Sequence, residues 1–297
     1  MSTRSLIGRL NADKTVDFVY CHWNGSPIWN GTILHVNYQN ADAVDSLLAL
    51  GNISVLGRQI GEEHSFDRRC SDTMYERELS AKGWTTAYIR DRGEVDDNHA
   101  ITVADTDEYL QQYGRYIFGA EFLYLYDPKK PEGNRWVVFT PHEGKPKKFA
   151  PLKSAILKEL RSTPLRAGIL VGRPGKWHTE EDFAPADVDP VEFFVKRWYS
   201  RFGDVTVEIA DNEICLTIFG CRVVYALTAK GADVIRQARL GTLPQPVIGE
   251  DGYDPQYTFY PIEDVRMVQQ AEREKRARAK TEKKQRQRAP LRYRAAV

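Results

Sequence analysis

Two short segments concentrate the residue types that chemistry uses. Tyr20-Cys21-His22-Trp23-Asn24-Gly25-Ser26-Pro27 sets an imidazole between aromatic rings and runs into a turn, and Tyr88-Ile89-Arg90-Asp91-Arg92-Gly93-Glu94 places four charges in residues 90–94. On a strand, Tyr20 and His22 share one face and Cys21 and Trp23 the other. Two uses of the first segment stay open. Either Trp23 packs on the following helix while His22 serves a buried carbonyl, or His22 is a proton donor, acceptor or ligand contact at a pocket mouth walled by Trp23 and Trp29. The second segment has the same ambiguity. Arg90 and Arg92 either close internal ion pairs that hold a loop, or present forked donors to phosphate or carboxylate, oriented by Asp91 and Glu94, where Gly93 releases the chain from its sheet.

Other signatures of catalysis are missing from the sequence. It holds no Gly-x-Ser-x-Gly, no His-Glu-x-x-His and no phosphate-binding Gly-x-x-x-x-Gly-Lys-Ser/Thr. His64 beside Glu62, Glu63 and Asp67, and His99 beside Asp96 and Asp97, have the residue types of metal ligands but read as solvated loop charge. Cys21, Cys70, Cys215 and Cys221 form no Cys-x-x-Cys pair and read as reduced packing thiols. No metal, no cofactor and no assignable catalytic residue are expected, and the chain leans away from being an enzyme.

The elements that position these segments follow from pattern. A chain of 297 residues with 42% hydrophobic and 28% charged residues is globular in composition and long enough for two ordinary domains. Apolar runs at 6–10 and 16–23 flank a polar turn and predict a hairpin. Helices are predicted over 29–38 and over 42–50, the second capped by Asn40 or Asp42 and stopped by Gly51. Residues 57–83 show no period and read as a long irregular surface segment. A strand is expected over 85–90, a helix over 108–116 with its cap at 105–107, strands over 120–126 and 135–140, and a helix over 152–161. Residues 190–202, with Pro190 in the first turn, predict a helix, followed by strands at 205–209, 214–219 and 222–227 and a helix over 229–240. Trp198, Tyr199 and Phe202 read as core.

The expected fold is α+β: an antiparallel sheet with hairpins and flanking helices over 1–165, a linker at 166–189, a smaller α-β-β-β-α domain over 190–260, and a basic, flexible tail over 261–297. No run approaches the ~18 apolar residues of a membrane span, and the N-terminus lacks the apolar stretch of a signal peptide, so a cytoplasmic location is expected.

Taken in order, the opening Ser2-Thr3-Arg4-Ser5, the Tyr20 segment, residues 31–38 and 47–54 and the Tyr88 segment resemble a family of uncharacterised proteins of bacteriophages and prophages. Its usual pattern is Tyr-x-His-Trp-Asp-Gly-Tyr-Pro followed by Arg-Asp-Arg-Gly-Glu. Tyr124-Leu125-Tyr126-Asp127 and Arg135-Trp136-Val137-Val138 extend the likeness over roughly residues 1–160. Asn24 and Ser26 depart from the pattern. Asn24 cannot ionise, which removes any carboxylate chemistry at that turn, whereas it keeps the turn's hydrogen bonds. The resemblance implies a phage-linked accessory protein, and no activity carries over with it. The expected role is to bind a host or phage macromolecule, most simply a protein, in the bacterial cytoplasm, with the loops after Trp23 and Tyr88 as the recognition surface. A small enzyme or nucleotide-binding protein using His22, Arg90 and Arg92, and a virion-associated structural protein, are the alternatives.

Charge adds one more feature. Residues 271–297 hold eleven Lys/Arg against three Glu, which leaves 31 basic against 38 acidic residues in 1–270. An acidic body thus carries a basic tail, whose Arg273, Lys275, Arg276, Arg278, Lys280, Lys283, Lys284, Arg286 and Arg288 are candidate phosphate contacts. Their affinity would be salt-sensitive and sequence-independent. Deleting 271–297 should leave folding intact and strongly weaken retention on DNA or heparin at low salt; unchanged retention would remove the tail from the account.

Overall fold

The computed structural model describes residues 3–111, 118–140, 149–163, 165–169, 180–210, 213–243 and 256–259. The basic tail and its nine candidate phosphate contacts lie outside the described residues, as does 170–179 of the expected linker.

The chain opens with the expected hairpin, β1 (Ser5–Leu10) against β2 (Val16–Cys21), in register from Ser5 opposite Cys21 to Leu10 opposite Val16. A π-type turn over Pro27–Gly31 leads into α1 (Thr32–Asn37), and α2 (Ala41–Leu48) follows. Asn40 caps α2 by accepting the Ala43 N–H at 2.8 Å, and Gly51 beyond its end has φ 71°. Next come β3 (Ile53–Val55), α3 (Phe66–Ser71), α4 (Thr73–Lys82), β4 (Thr86–Ala87) and α5 (Tyr88–Arg92). After β5 (Ile101–Val103) and the single turn α6 (Thr106–Glu108), the strands β6 (Phe122–Tyr126), β7 (Trp136–Phe139) and β8 (Ala150–Pro151) lead to α7 (Leu152–Ser162) and β9 (Leu165–Gly168).

The α+β class holds, with a refinement in the large sheet. Its order is β4-β3-β2-β1-β6-β7-β8, with β5 on β2, and β1 runs parallel to β6 and β2 parallel to β3, so the sheet is mixed rather than antiparallel. The central strands are buried on both faces, as parallel pairing demands. Along each strand the side chains alternate: Ile7, Val19, Tyr124, Tyr126, Trp136 and Val138 join the helical layer of α1, α2 and α7, and Leu6, Phe18, Leu123, Leu125 and Val137 form a second cluster with Tyr109.

Three expectations for this half change. Residues 57–83 are not irregular: α3 and α4 form there on caps rather than on an apolar stripe, Ser65 accepting the Arg68 N–H and Asp72 those of Met74 and Tyr75. Residues 85–90 are strand only at Thr86–Ala87, because the chain turns into α5 at Tyr88. Residues 165–168, at the start of the expected linker, form β9, which pairs antiparallel with β13 (Gln256–Phe259).

The second half matches its pattern: α8 (Pro190–Tyr199) with a 3-10 turn over Ser200–Phe202, β10 (Val205–Ala210), β11 (Glu213–Ile218), β12 (Cys221–Ala226) and α9 (Ala229–Arg239). Asp189 caps α8 through the Val191 and Glu192 amides. This unit shares one apolar cluster with the first, running from Ile7 through Leu34 and Ile156 to Phe202, Leu216 and Tyr225. Polar bonds cross as well, from the Tyr225 hydroxyl to the Leu160 carbonyl at 3.0 Å and from Lys153 Nζ to the Phe219 carbonyl at 2.9 Å.

Gly57 marks the closest approach of two backbones. A Cβ there would sit 2.4 Å from the Gly83 carbonyl oxygen and from the Trp84 carbonyl carbon. Gly57→Ala should therefore destabilise the protein by about 1–3 kcal/mol, seen as a lower urea midpoint with an unchanged slope; a wild-type midpoint would refute the contact.

Candidate functional site: an arginine-edged cleft

The Tyr20 segment is spent mainly on the fold. Asn24 adopts φ 59°, a left-handed conformation that asparagine tolerates better than most residues. Gly25 follows because a Cβ would lie 2.8 Å from the Thr3 carbonyl oxygen, and its own carbonyl accepts the Tyr124 hydroxyl at 2.7 Å. The fully buried Asn30 donates to the Trp23 carbonyl at 3.0 Å and to Cys21 Sγ at 3.2 Å. Burial pushes the Cys21 thiol up to about 12, so it stays protonated and is no nucleophile. All four cysteines are free.

Trp23 does not pack on the following helix; it is 45% exposed, because the strand ends at Cys21 and the chain turns outward through Asn24. The His22 ring lies against Trp23, centroids 4.8 Å apart, and its Nδ1 is 3.2 Å from the Tyr20 hydroxyl rather than on a buried carbonyl. Desolvation, with Arg4 adding to it, lowers the His22 pKa, so the imidazole is neutral at pH 7. Tyr20 stacks on Phe118 at 5.3 Å.

The Tyr88 segment divides between core and surface. The Asp91 side chain is fully buried and accepts from the Ala87 N–H at 2.7 Å, the His64 N–H at 3.1 Å and Arg90 Nε at 2.8 Å. Arg90 gives its remaining bonds to the Ile60, Gly61 and Thr85 carbonyls and to the other Asp91 oxygen. A guanidinium has five N–H groups, so Arg90 has nothing left for a ligand. The expectation that Arg90 and Arg92 together receive an anion is corrected accordingly. Arg92 sits at the surface over the Phe66 ring, paired with Glu94 at 2.8 Å. The Tyr88 ring lies beside the same Phe66, centroids 6.2 Å apart, with burial raising its pKa and a bond to Ser54 opposing.

His64 is not a solvated loop residue either. Its Nδ1 meets the Glu62 carbonyl and its Nε2 the Thr86 hydroxyl, both at 2.9 Å, with Asp91 3.6 Å away. The order Thr-His-Asp mimics a hydrolase triad, but Thr86 is fully buried and also bonded by Arg69, so no substrate reaches it. No group of three or more His, Cys, Asp or Glu is placed to hold a metal among the described residues.

What the residue types did not disclose is a cleft of about 610 Å³ where the α8 region meets residues 55–58 and 80–84, within the range of about 300–1,000 Å³ usual for ligand sites. Asn24 reaches it from the first motif and Trp29 from the turn that follows, and Tyr20, His22, Trp23 and the whole Tyr88 segment do not. Among the described residues four arginines line it. Arg69 is spent on Glu76 and Thr86, and Arg197 is paired with Asp182 at 2.6 Å. Arg58 donates to the Ala81 carbonyl at 2.6 Å, and Arg201 donates to the carbonyls of Ile28 at 3.2 Å and Trp198 at 2.9 Å. Among the described residues neither Arg58 nor Arg201 meets a carboxylate.

Arg201 is the more unusual of the two. Its guanidinium stacks on Trp29, 3.9 Å from the ring centroid, and burial holds its pKa down to about 10, with Tyr199 opposing. Its second terminal nitrogen has no partner among the described residues. Periodicity read Trp198 and Phe202 as core and passed over Arg201 between cleft and core; the one available signal was an arginine within an aromatic-rich helix end.

Compared with protein-family models, with curated proteins and with solved structures, the chain matches none. Among the described residues no helix is long and apolar enough to cross a membrane.

The buried and the exposed ion pairs should respond differently to substitution. Asp91→Asn leaves Arg90 without its charge partner and should cost about 3–5 kcal/mol, whereas Glu94→Gln should cost less than about 1 kcal/mol; chemical denaturation of both variants checks the contrast, and equal costs would contradict the assignment.

Proposed function

We propose that this chain is an accessory protein of phage or prophage origin, acting in the bacterial cytoplasm by binding a macromolecule rather than by catalysis. Its recognition site is the arginine-edged cleft, and the group recognised there is anionic. One observation carries the reading. Arg201 is half-buried over the Trp29 ring and, among the described residues, has no carboxylate beside it, although acidic residues outnumber basic ones over 1–270. A cation in that position costs free energy unless an anion completes it. Arg58 faces the same cleft, again with no carboxylate among the described residues.

The competing reading, an enzyme with His22 as acid-base and Arg90 and Arg92 as anion holders, loses its main support. Arg90 is saturated by carbonyls and Asp91, Arg92 is paired with Glu94, and His22 lies outside the cleft.

A ligand that binds only the folded state raises its melting temperature. A heparin fragment at saturating concentration should raise that of the wild-type chain by about 5 °C or more, and Arg58→Glu combined with Arg197→Glu should abolish the shift while Trp23→Ala keeps it. A shift that survives the double substitution and disappears in Trp23→Ala would place recognition on the exposed aromatic surface and refute the cleft.

A further inference from the structure

Anions differ in what surrounds their charge, and the cleft has features that discriminate. Trp29, Trp84 and Trp198 line it, each half-buried, so flat apolar surface lies within reach of the same ligand that meets Arg58 and Arg201. A carboxylate-bearing peptide has no use for three indoles, whereas a nucleoside phosphate carries a base that packs on aromatic rings and a charge that forked guanidinium donors bind.

Arg201 is placed for both halves of such a ligand. Trp29 holds one face of its guanidinium plane, and the Ile28 and Trp198 carbonyls hold Nε and one terminal nitrogen. That fixes the fork and leaves the second terminal nitrogen for a ligand oxygen. Arg58, exposed and bonded to the Ala81 carbonyl, lines the same cleft and has donors to spare. Among the described residues Asp182 is the one carboxylate lining the cleft, and it is paired with Arg197. The net field inside is therefore positive in a body whose residues 1–270 are net acidic, which concentrates anions at this site.

We infer that the cleft binds a nucleoside phosphate, free or as one unit of a single strand, its phosphate held by Arg58 and Arg201 and its base packed among the tryptophans. This inference rests on the anion-binding reading above and names its ligand. The basic residues of 271–297 would then add attachment along a strand, with no base contact required of them.

Tryptophan fluorescence of the full-length chain reports on the cleft through Trp29, Trp84 and Trp198, together with the other tryptophans, while residues 271–297 contribute no tryptophan emission, and the Arg58→Glu variant separates the cleft from the rest. The probes are a short single-stranded oligonucleotide, a mononucleotide and an oligo-glutamate peptide at matched charge. The oligonucleotide should quench the emission saturably, and Arg58→Glu, an exposed change that leaves the core untouched, should weaken it about 10-fold or more, the effect of one charged contact. Arg201→Lys, which keeps the charge and loses the fork, should weaken it too. Equal quenching by the mononucleotide assigns the free nucleotide as ligand, and quenching by the oligonucleotide alone assigns the strand. Quenching by the peptide with none by either nucleotide overturns the inference and leaves anion binding standing; no quenching by any probe overturns both. Oligonucleotide quenching indifferent to Arg58→Glu would place the contact outside the cleft and also overturn the inference.

Discussion

A half-buried guanidinium with no carboxylate beside it among the described residues is the constraint around which this molecule is arranged. Arg201 stands in the 3-10 turn at the end of α8, yet its Nε donates to the Ile28 carbonyl and its plane covers Trp29, both in the π-type turn that follows the first hairpin. It therefore joins the C-terminal unit to the opening motif. The same two carbonyls and the indole that fix it also leave part of it directed at solvent in the cleft. Under the proposed reading joint and site are one residue, which would account for a cation being kept where an apolar side chain would pack at lower cost.

The opposite wall is held with comparable rigidity by a second arginine in the reverse situation. Arg90 is fully bonded, and with Asp91 it locks the carbonyls of 60, 61 and 85 into one frame. On that frame Gly57 passes within contact of Gly83 and Trp84, and His64 and Arg69 share the Thr86 hydroxyl beneath the cleft floor. The two arginines thus divide the labour. One is saturated and builds a wall, and the other is incomplete and faces the opening. A site set on elements fixed in this way is preorganised, which reduces the cost of ordering it on binding.

Much of the fold was legible in the residues, and the site was not, for reasons that can be named. β1, β2, α2, α7 and the whole run from α8 to α9 follow from apolar period and from Asn40, Pro190 and Gly51, because these elements bury a face and end on residues that enforce ends. Helices α3 and α4 were missed because they are held by Ser65, Asp72 and Gly83 rather than by an apolar stripe, and β3 because three residues show no period. The parallel pairing of β1 with β6 joins segments far apart in sequence, which local pattern does not encode. At the Tyr88 segment the residue types were conspicuous, but which of two arginines is saturated depends on carbonyls at 60, 61 and 85 that only the folded chain brings together. The cleft itself gathers residues from six separated stretches among the described residues, between 24 and 201, so no spacing announces it.

Under the proposed reading, recognition happens at the incomplete arginine and not at the conspicuous surface around His22 and Trp23. The indole N–H resonances of the tryptophans report on both places in one spectrum. Titrating the intact protein with a single-stranded oligonucleotide should move the signals of Trp29, Trp84 and Trp198 and leave that of Trp23 in place. Movement of Trp23 with the three cleft signals unchanged would contradict it.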